Sequence, residues 1–331
     1  MYEKLLAIDS VRLNYSTNSQ MIINIALALI MFGVALGLRL SGFKRVFKNP
    51  KLVIVGLTSQ LILLPAFTFL MAYLLRDYIT TSVALGMILV ASCPGGNISN
   101  FMSSLAKANT ELSITLTSIT TLAAVFTTPF NFSFWGNMYA RASDLVQPLH
   151  IPFWEMFKVV MLLLGLPMLL GLLFRWKFPK LADKIVKPFK YFGIGFFLLL
   201  IVMAFAANFQ LFLKYIWYVF LLVLVHNALA ISIGYFFSSS MGLKHRDRRT
   251  IAIETGIQNS GLALVLIFNP KIFPPDLNMG GMMFIAGWWG IWHIVSGLTI
   301  SKYWLHKDIN KYNKVTQFRK NWFKKLHHEN S

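Results

Sequence analysis

Apolar positions along this chain come in long unbroken runs, not in the alternation of a half-buried strand or the narrow stripe of a surface helix. Nine runs of roughly 20 residues, the length that crosses ~30 Å of hydrocarbon as a helix, fall at approximately 20–40, 52–75, 80–106, 110–135, 152–174, 190–209, 213–238, 249–269 and 277–304. The pattern predicts an all-α polytopic membrane protein with nine transmembrane helices. Residues 1–19 carry no apolar core of signal-peptide type and read as an external N-terminal segment. Residues 305–331 read as a basic cytoplasmic tail.

Two of the nine runs are interrupted. The third contains "ASCPGGNISN", Ala91 to Asn100, with Pro94, Gly95 and Gly96 at mid-run, and the eighth contains "ETGIQNSGLAL", Glu254 to Leu264. Proline removes a backbone donor and clashes with the preceding turn, while glycine relaxes the backbone. Free N–H and C=O groups at that depth require protein or a wet cavity to satisfy them. The two interrupted runs lie five apart and so cross in opposite senses, the pattern of an inverted-topology repeat with a binding site near the midplane. The same offset pairs the first run with the sixth, the second with the seventh and the fourth with the ninth. The fifth is left unpaired.

Composition agrees. Of 331 residues, 56% are hydrophobic and 13% charged, where a soluble domain carries about 25% charged. The net charge of +19 could suggest nucleic acid, but its distribution points to topology. Lys44, Arg45, Lys48 and Lys51 follow the first run, Arg175 to Lys190 the fifth, Lys244 to Arg249 the seventh, and the tail holds Lys307 to Lys325; the alternate loops are poor in Lys and Arg. The positive-inside rule then places the N-terminus outside and the C-terminus in the cytoplasm of a cell membrane. The basic tail belongs beside anionic lipid headgroups, with no nucleic-acid role. One cysteine, Cys93, excludes an internal disulfide.

Of twelve acidic residues, Glu254 alone sits beside a break well inside an apolar run. An ionised carboxylate there costs a few kcal/mol, and no Lys or Arg occupies the central part of a run. The counter-charge is therefore a cation or a proton. Oxygen ligands of the kind hard cations take are at hand: Ser99 and Asn100 after the CPGG break, Ser113 and Thr117 at i, i+4 on one helix face, and the lone amide Gln60 in the second run.

"CPGGNISN" followed by "SITLTSITTL", paired with "ETGIQNSGLAL" and preceded by "ALIMFGVALGLRLSGFKRV" at Ala28–Val46, resembles the bile acid:sodium symporter family, in the manner of its bacterial homologues of the apical bile acid transporter. The resemblance spans nearly the whole membrane region. It implies a transporter domain over 20–304, with a panel (approximately 20–40, 152–174 and 190–209) and a core (approximately 52–135 and 213–304), the interrupted helices crossing near the membrane centre. It implies two sodium ions as co-substrate. Site 1 takes Ser99, Asn100, Ser113, Thr117 and Glu254; site 2 takes Gln60, Glu254 and Gln258 with the backbone carbonyls of Thr255 and Ile257. Substrate contacts fall to Asn97, Asn259 and His293, although the family often places Asn after that histidine and this chain has Ile294.

The expected function is sodium-coupled import of a small organic anion by alternating access. Membrane lipid is the surrounding partner, and nothing in the sequence calls for an organic cofactor or an obligatory protein partner. Proton coupling and passive transport are the rival readings. An intramembrane enzyme lacks support, since the chain has no HExxH, no GxSxG and no paired acidic motif of prenyltransferase type.

Overall fold

A computed structural model describes residues 2–9, 17–38, 49–143, 153–206, 209–269, 271–273 and 277–328. Their helices are α1 (Tyr2–Asp9), α2 (Thr17–Gly37), α3 (Pro50–Thr58), a π turn at Ser59–Leu63, α4 (Leu64–Leu74), α5 (Thr81–Ser92), α6 (Ile98–Leu105), α7 (Thr110–Ala142), α8 (Phe153–Val160), a second π turn at Met161–Gly165, α9 (Leu166–Lys177), α10 (Pro179–Ala206), α11 (Phe209–Ser240), α12 (His245–Gly256), α13 (Ser260–Ile267) and α14 (Gly280–His328). The basic residues Lys44, Arg45 and Lys48 lie outside the described residues, as do residues 10–16 between α1 and α2.

Among the described residues, five helical stretches are long and apolar enough to cross a membrane: Pro50–Leu74, Thr110–Ala142, Phe153–Lys177, Ile216–Ser240 and Gly280–Ile309. Asn24–Gly37 and Thr81–Ser92 are shorter apolar helices. Apolar side chains also face outward in quantity, including Leu166, Leu169, Leu170 and Leu173 on α9 and Trp217, Leu221 and Val225 on α11. Patches of this extent are unfavourable in water and favourable against acyl chains. The chain is a multi-pass membrane protein.

The interrupted runs become two helix pairs of the same proportions. α5 has 12 residues and α6 has 8; α12 has 12 and α13 has 8. At 1.5 Å per residue, each half is too short to span a bilayer by itself. α12 packs closely on α11, where a Cβ added at Gly234 would lie 2.7 Å from Ala252 Cα and 2.7 Å from the Ile251 carbonyl. Close backbone approach through small residues is how helices gain contact where no hydrophobic effect drives association. The N-terminal end of α12 is tied down by charge. Arg249 grips Asp308 of α14 with bonds of 2.6 and 2.8 Å and donates to the Ala106 carbonyl at 3.1 Å, a bidentate geometry that fixes position as well as charge.

The second run is one continuous helix bent through a π turn, and Pro65 supplies the cause. Its missing N–H leaves the Leu61 carbonyl without a partner one turn back, and the turn widens there into the π form. Asn131 Nδ2 of α7 donates to that carbonyl at 3.0 Å. Asn131→Ala is expected to orphan a buried carbonyl and lower stability by about 1–3 kcal/mol; an unchanged thermal midpoint in detergent would overturn this role.

Two elements extend the sequence reading. The last helix continues past residue 304 to His328, because no Gly or Pro interrupts 305–328 and the stretch is rich in helix formers. The first segment holds a helix, α1, whose Leu5 and Ile8 are fully buried. Asp9 at the end of α1 is also buried, set against Thr80, Ser82 and the Gly281 backbone where α5 and α14 begin. Its Oδ1 accepts no hydrogen bond.

Burial pushes the Asp9 carboxyl up to about 7, outweighing the hydroxyl and amide donors that favour its charged form. The folded state thus binds the proton more tightly than the unfolded state, whose carboxyl titrates near ~3.9. The stabilising contribution of docked α1 is complete below about pH 4 and is lost as pH rises through 7. Hydrogen exchange of α1, corrected for intrinsic rates, should show less protection at pH 8 than at pH 5.5, and Asp9→Asn should flatten the profile. Equal protection at both values in the native chain would contradict this account.

Candidate functional site

The two breaks meet. Gly96 N–H donates to the Ile257 carbonyl at 2.8 Å and Asn259 N–H donates to the Pro94 carbonyl at 2.8 Å, so Gly95 and Gln258 form an antiparallel β-bridge. Each interruption thus satisfies backbone groups freed in the other, the condition for non-helical backbone at membrane depth. A further carbonyl, that of Gly256, accepts from Asn227 Nδ2 of α11 at 2.7 Å. Beside it on α11, His226 Nε2 lies 2.7 Å from Thr68 Oγ1 of α4, an interhelical bond.

Glu254 lies on the last turn of α12, fully buried, and collects hydroxyls from two other elements. Ser99 Oγ donates to Oε1 at 2.5 Å, Ser113 Oγ of α7 also donates to Oε1, and Thr117 Oγ1 stands 3.1 Å from Oε1 and 3.0 Å from Oε2. Thr117 Oγ1 is 3.4 Å from Asn100 Oδ1. Four residues named from the sequence around this acid, Ser99, Asn100, Ser113 and Thr117, are therefore in one place. Ser113 and Thr117 reach it together because they stand one turn apart on α7; Ser99 and Asn100 reach it because α6 begins at the break.

Gln60 projects from the π turn and its Nε2 donates to the Glu254 main-chain carbonyl at 3.0 Å. Gln258 Nε2 donates to the Thr255 carbonyl at 2.9 Å. Both amides spend their N–H groups on backbone, and both Oε1 atoms are buried without a hydrogen-bond partner. Buried, unpartnered amide oxygens suit a hard cation, which takes oxygen ligands of this kind. Among the described residues no group of three or more His, Cys, Asp or Glu could hold a metal ion. One carboxylate with neutral oxygens is the donor set of a weakly held monovalent ion rather than a transition metal.

The residues expected to meet substrate are placed less uniformly. Asn97 and Asn259 precede α6 and α13, so both half-helix N-termini face the crossing with their partial positive charge. Asn259 Oδ1 caps α13 by accepting from Leu262 N–H at 3.1 Å, while Asn97 makes no such cap and is exposed. His293 is buried on α14 with Nδ1 unpartnered, and no described hydrogen bond joins it to either asparagine.

Sequence reasoning missed two contributors, Ser59 and Asn131, and a steric role for Gly95 beyond breaking the helix. Ser59 Oγ pairs at 2.8 Å with Thr255 Oγ1, which itself donates to the Ile251 carbonyl. Asn131 holds the π turn that presents Gln60. Gly95 is required by space: a Cβ there would stand 2.6 Å from Gln60 Nε2 and 3.0 Å from Glu254 Oε2. A lone Asn in an apolar helix was the available signal for Asn131, and Pro65 four residues past Leu61 was the signal for the π turn.

Comparison with known proteins gives the context. The family model described as Sodium Bile acid symporter family matches residues 24–215. The Uncharacterized sodium-dependent transporter YocS of Bacillus subtilis is 29% identical over 288 residues, 86% of this chain and 83% of that protein. The Probable sodium/metabolite cotransporter BASS1, chloroplastic, of Oryza sativa subsp. japonica is 31% identical over 73% of this chain, which spans 57% of that protein. The Ileal sodium/bile acid cotransporter of Mus musculus is 23% identical over 78% of this chain and 72% of its own length.

Proposed function

Because the chain belongs to the Sodium Bile acid symporter family, whose members are sodium-dependent transporters and not enzymes, we propose that it imports a small organic anion together with two sodium ions. The observation that carries this reading is the buried carboxylate of Glu254 at the crossing, which accepts from three hydroxyls, together with the buried, unpartnered amide oxygens of Gln60 and Gln258 on the neighbouring segments. Site 1 comprises Ser99, Asn100, Ser113, Thr117 and Glu254. Site 2 comprises Gln60, Glu254 and Gln258, with the carbonyls of Thr255 and Ile257.

Charge gives the order of events. Glu254 carries one negative charge, so two sodium ions leave the crossing with a net charge of about +1, with the N-termini of α6 and α13 adding partial positive charge. The loaded crossing attracts a monoanion to Asn97 and Asn259, with His293 as a further contact; without sodium the same place repels it. Co-transport follows from this coupling, since each ligand raises the affinity of the other. A panel of α2, α8–α10 and a core of the remaining spans rock about the crossing to expose it alternately to the outside and the cytoplasm of a cell membrane. Nine crossings, with the N-terminus outside and the C-terminus inside, agree with the alternation of basic loops.

The relatives' names offer bile acids and smaller metabolites as substrate classes. Uptake of taurocholate and of short carboxylates into proteoliposomes, with sodium replaced by choline at constant pH, tests the coupling. Uptake should fall to background in choline; undiminished uptake that follows a pH gradient would instead assign Glu254 to proton coupling.

A further inference from the structure

A cavity of about 440 Å³ lies away from the crossing, between the start of α2, the α8 segment and the loop after α13. Its size is that of a small-molecule site. Lys158 and Lys271 line it from opposite elements, accompanied by the amides of Asn24 and Asn269 and by the aliphatic side chains of Leu162 and Leu163. Asn269 is buried, its Oδ1 accepting from Lys271 N–H at 3.0 Å. Glu155, one turn before Lys158 on α8, is the single acid in the lining. Two ammonium groups and one carboxylate leave a net charge of +1.

We propose that this cavity is an outer vestibule that captures an amphipathic organic monoanion before it reaches the crossing. The position supports the role. α13 runs from Asn259 at the crossing to Ile267, two residues before Asn269, so the vestibule and the crossing stand at opposite ends of one half-helix about 12 Å long. The cavity also lies on the seam between panel and core, where an outward opening would form. Its chemistry matches the cargo: the lysines and amides hold a carboxylate or sulfonate head, and the leucines receive a hydrocarbon body. Glu155 sets the charge limit, because a second negative charge on the ligand would face its carboxylate. The vestibule's role as a path to the crossing rests on the symporter reading given above, whereas its anion selectivity does not.

The sole native cysteine is buried, so Val159→Cys, at a half-buried lining position, reports on the vestibule alone. In vesicles of phosphatidylcholine, the labelling rate by anionic MTSES relative to cationic MTSET measures the local potential. Lys158→Gln with Lys271→Gln should lower that ratio by about tenfold or more, as expected for removing two nearby unit charges, and Glu155→Gln should raise it. Taurocholate should protect Val159→Cys in these zwitterionic vesicles, and the double lysine variant should raise KM for taurocholate uptake with little change in kcat. A ratio indifferent to all three charges, no reaction with either reagent, or protection by phosphatidylglycerol but not by taurocholate would each overturn the proposal. If wild-type uptake proves independent of sodium while the labelling ratios respond as expected, the symporter reading fails and the anion vestibule stands.

Discussion

Glu254→Gln should reduce sodium-dependent uptake to background while the protein remains folded and inserted. Glutamine has the shape of glutamate, and its carbonyl oxygen can still accept from Ser99, Ser113 and Thr117. What disappears is one unit of negative charge shared by both proposed sodium sites. At ~4 Å and an effective dielectric near 20, that charge is worth about 4 kcal/mol to each ion, roughly a thousandfold in affinity. The change also removes the cost of burying an unbalanced carboxylate. Thermal stability in choline should therefore match or exceed the wild type, and the stabilisation that sodium adds by mass action should vanish. Retained sodium-dependent uptake, or an undiminished sodium-induced rise in melting temperature, would remove Glu254 from the mechanism.

Gly95→Ala should raise the sodium concentration needed for half-maximal uptake by tenfold to a hundredfold, on the order of the ~1–3 kcal/mol that overpacking costs. The added methyl would lie 2.6 Å from Gln60 Nε2. The backbone at residue 95 cannot move aside, because the bonds from Gly96 and Asn259 hold it on both flanks. The Gln60 side chain must yield, losing its bond to the Glu254 carbonyl and carrying Oε1 out of site 2. Pairing Gly95→Ala with Gln60→Ser separates the two effects: stability should recover because the clash is relieved, but sodium affinity should not, because the amide oxygen is gone. Wild-type sodium dependence in Gly95→Ala would show that site 2 does not need Gln60 where it stands.

The parts of the site that were readable in advance share a property: each depends on residues close together in the chain. Pro94-Gly95-Gly96 breaks a helix wherever it occurs, Ser113 and Thr117 share a face because of helical period, and an acid in an apolar run is conspicuous by composition. Gln60 stood out for the same reason. The roles of Asn131, Ser59 and Asp9 were not readable, since each acquires meaning from a partner far away in sequence: Leu61, Thr255 and the starts of α5 and α14. His226 and Asn227 both make interhelical hydrogen bonds, and the carbonyl that Asn227 serves belongs to the second break.

Sequence by itself determined that this chain is a helical membrane protein of a sodium-dependent transporter family, with two broken helices and one acid beside the second break. Hydrophobic run length and backbone-breaking residues are local causes, and solvation by lipid enforces them without reference to the rest of the fold. Only the tertiary structure decided that the breaks satisfy one another across an antiparallel bridge, that Gln60 is delivered by a π turn, and that the amide oxygens of Gln60 and Gln258 stay buried and unpartnered. Those features come from backbone groups that must find partners at depth, and which partners they find is set by the packing of segments more than 150 residues apart.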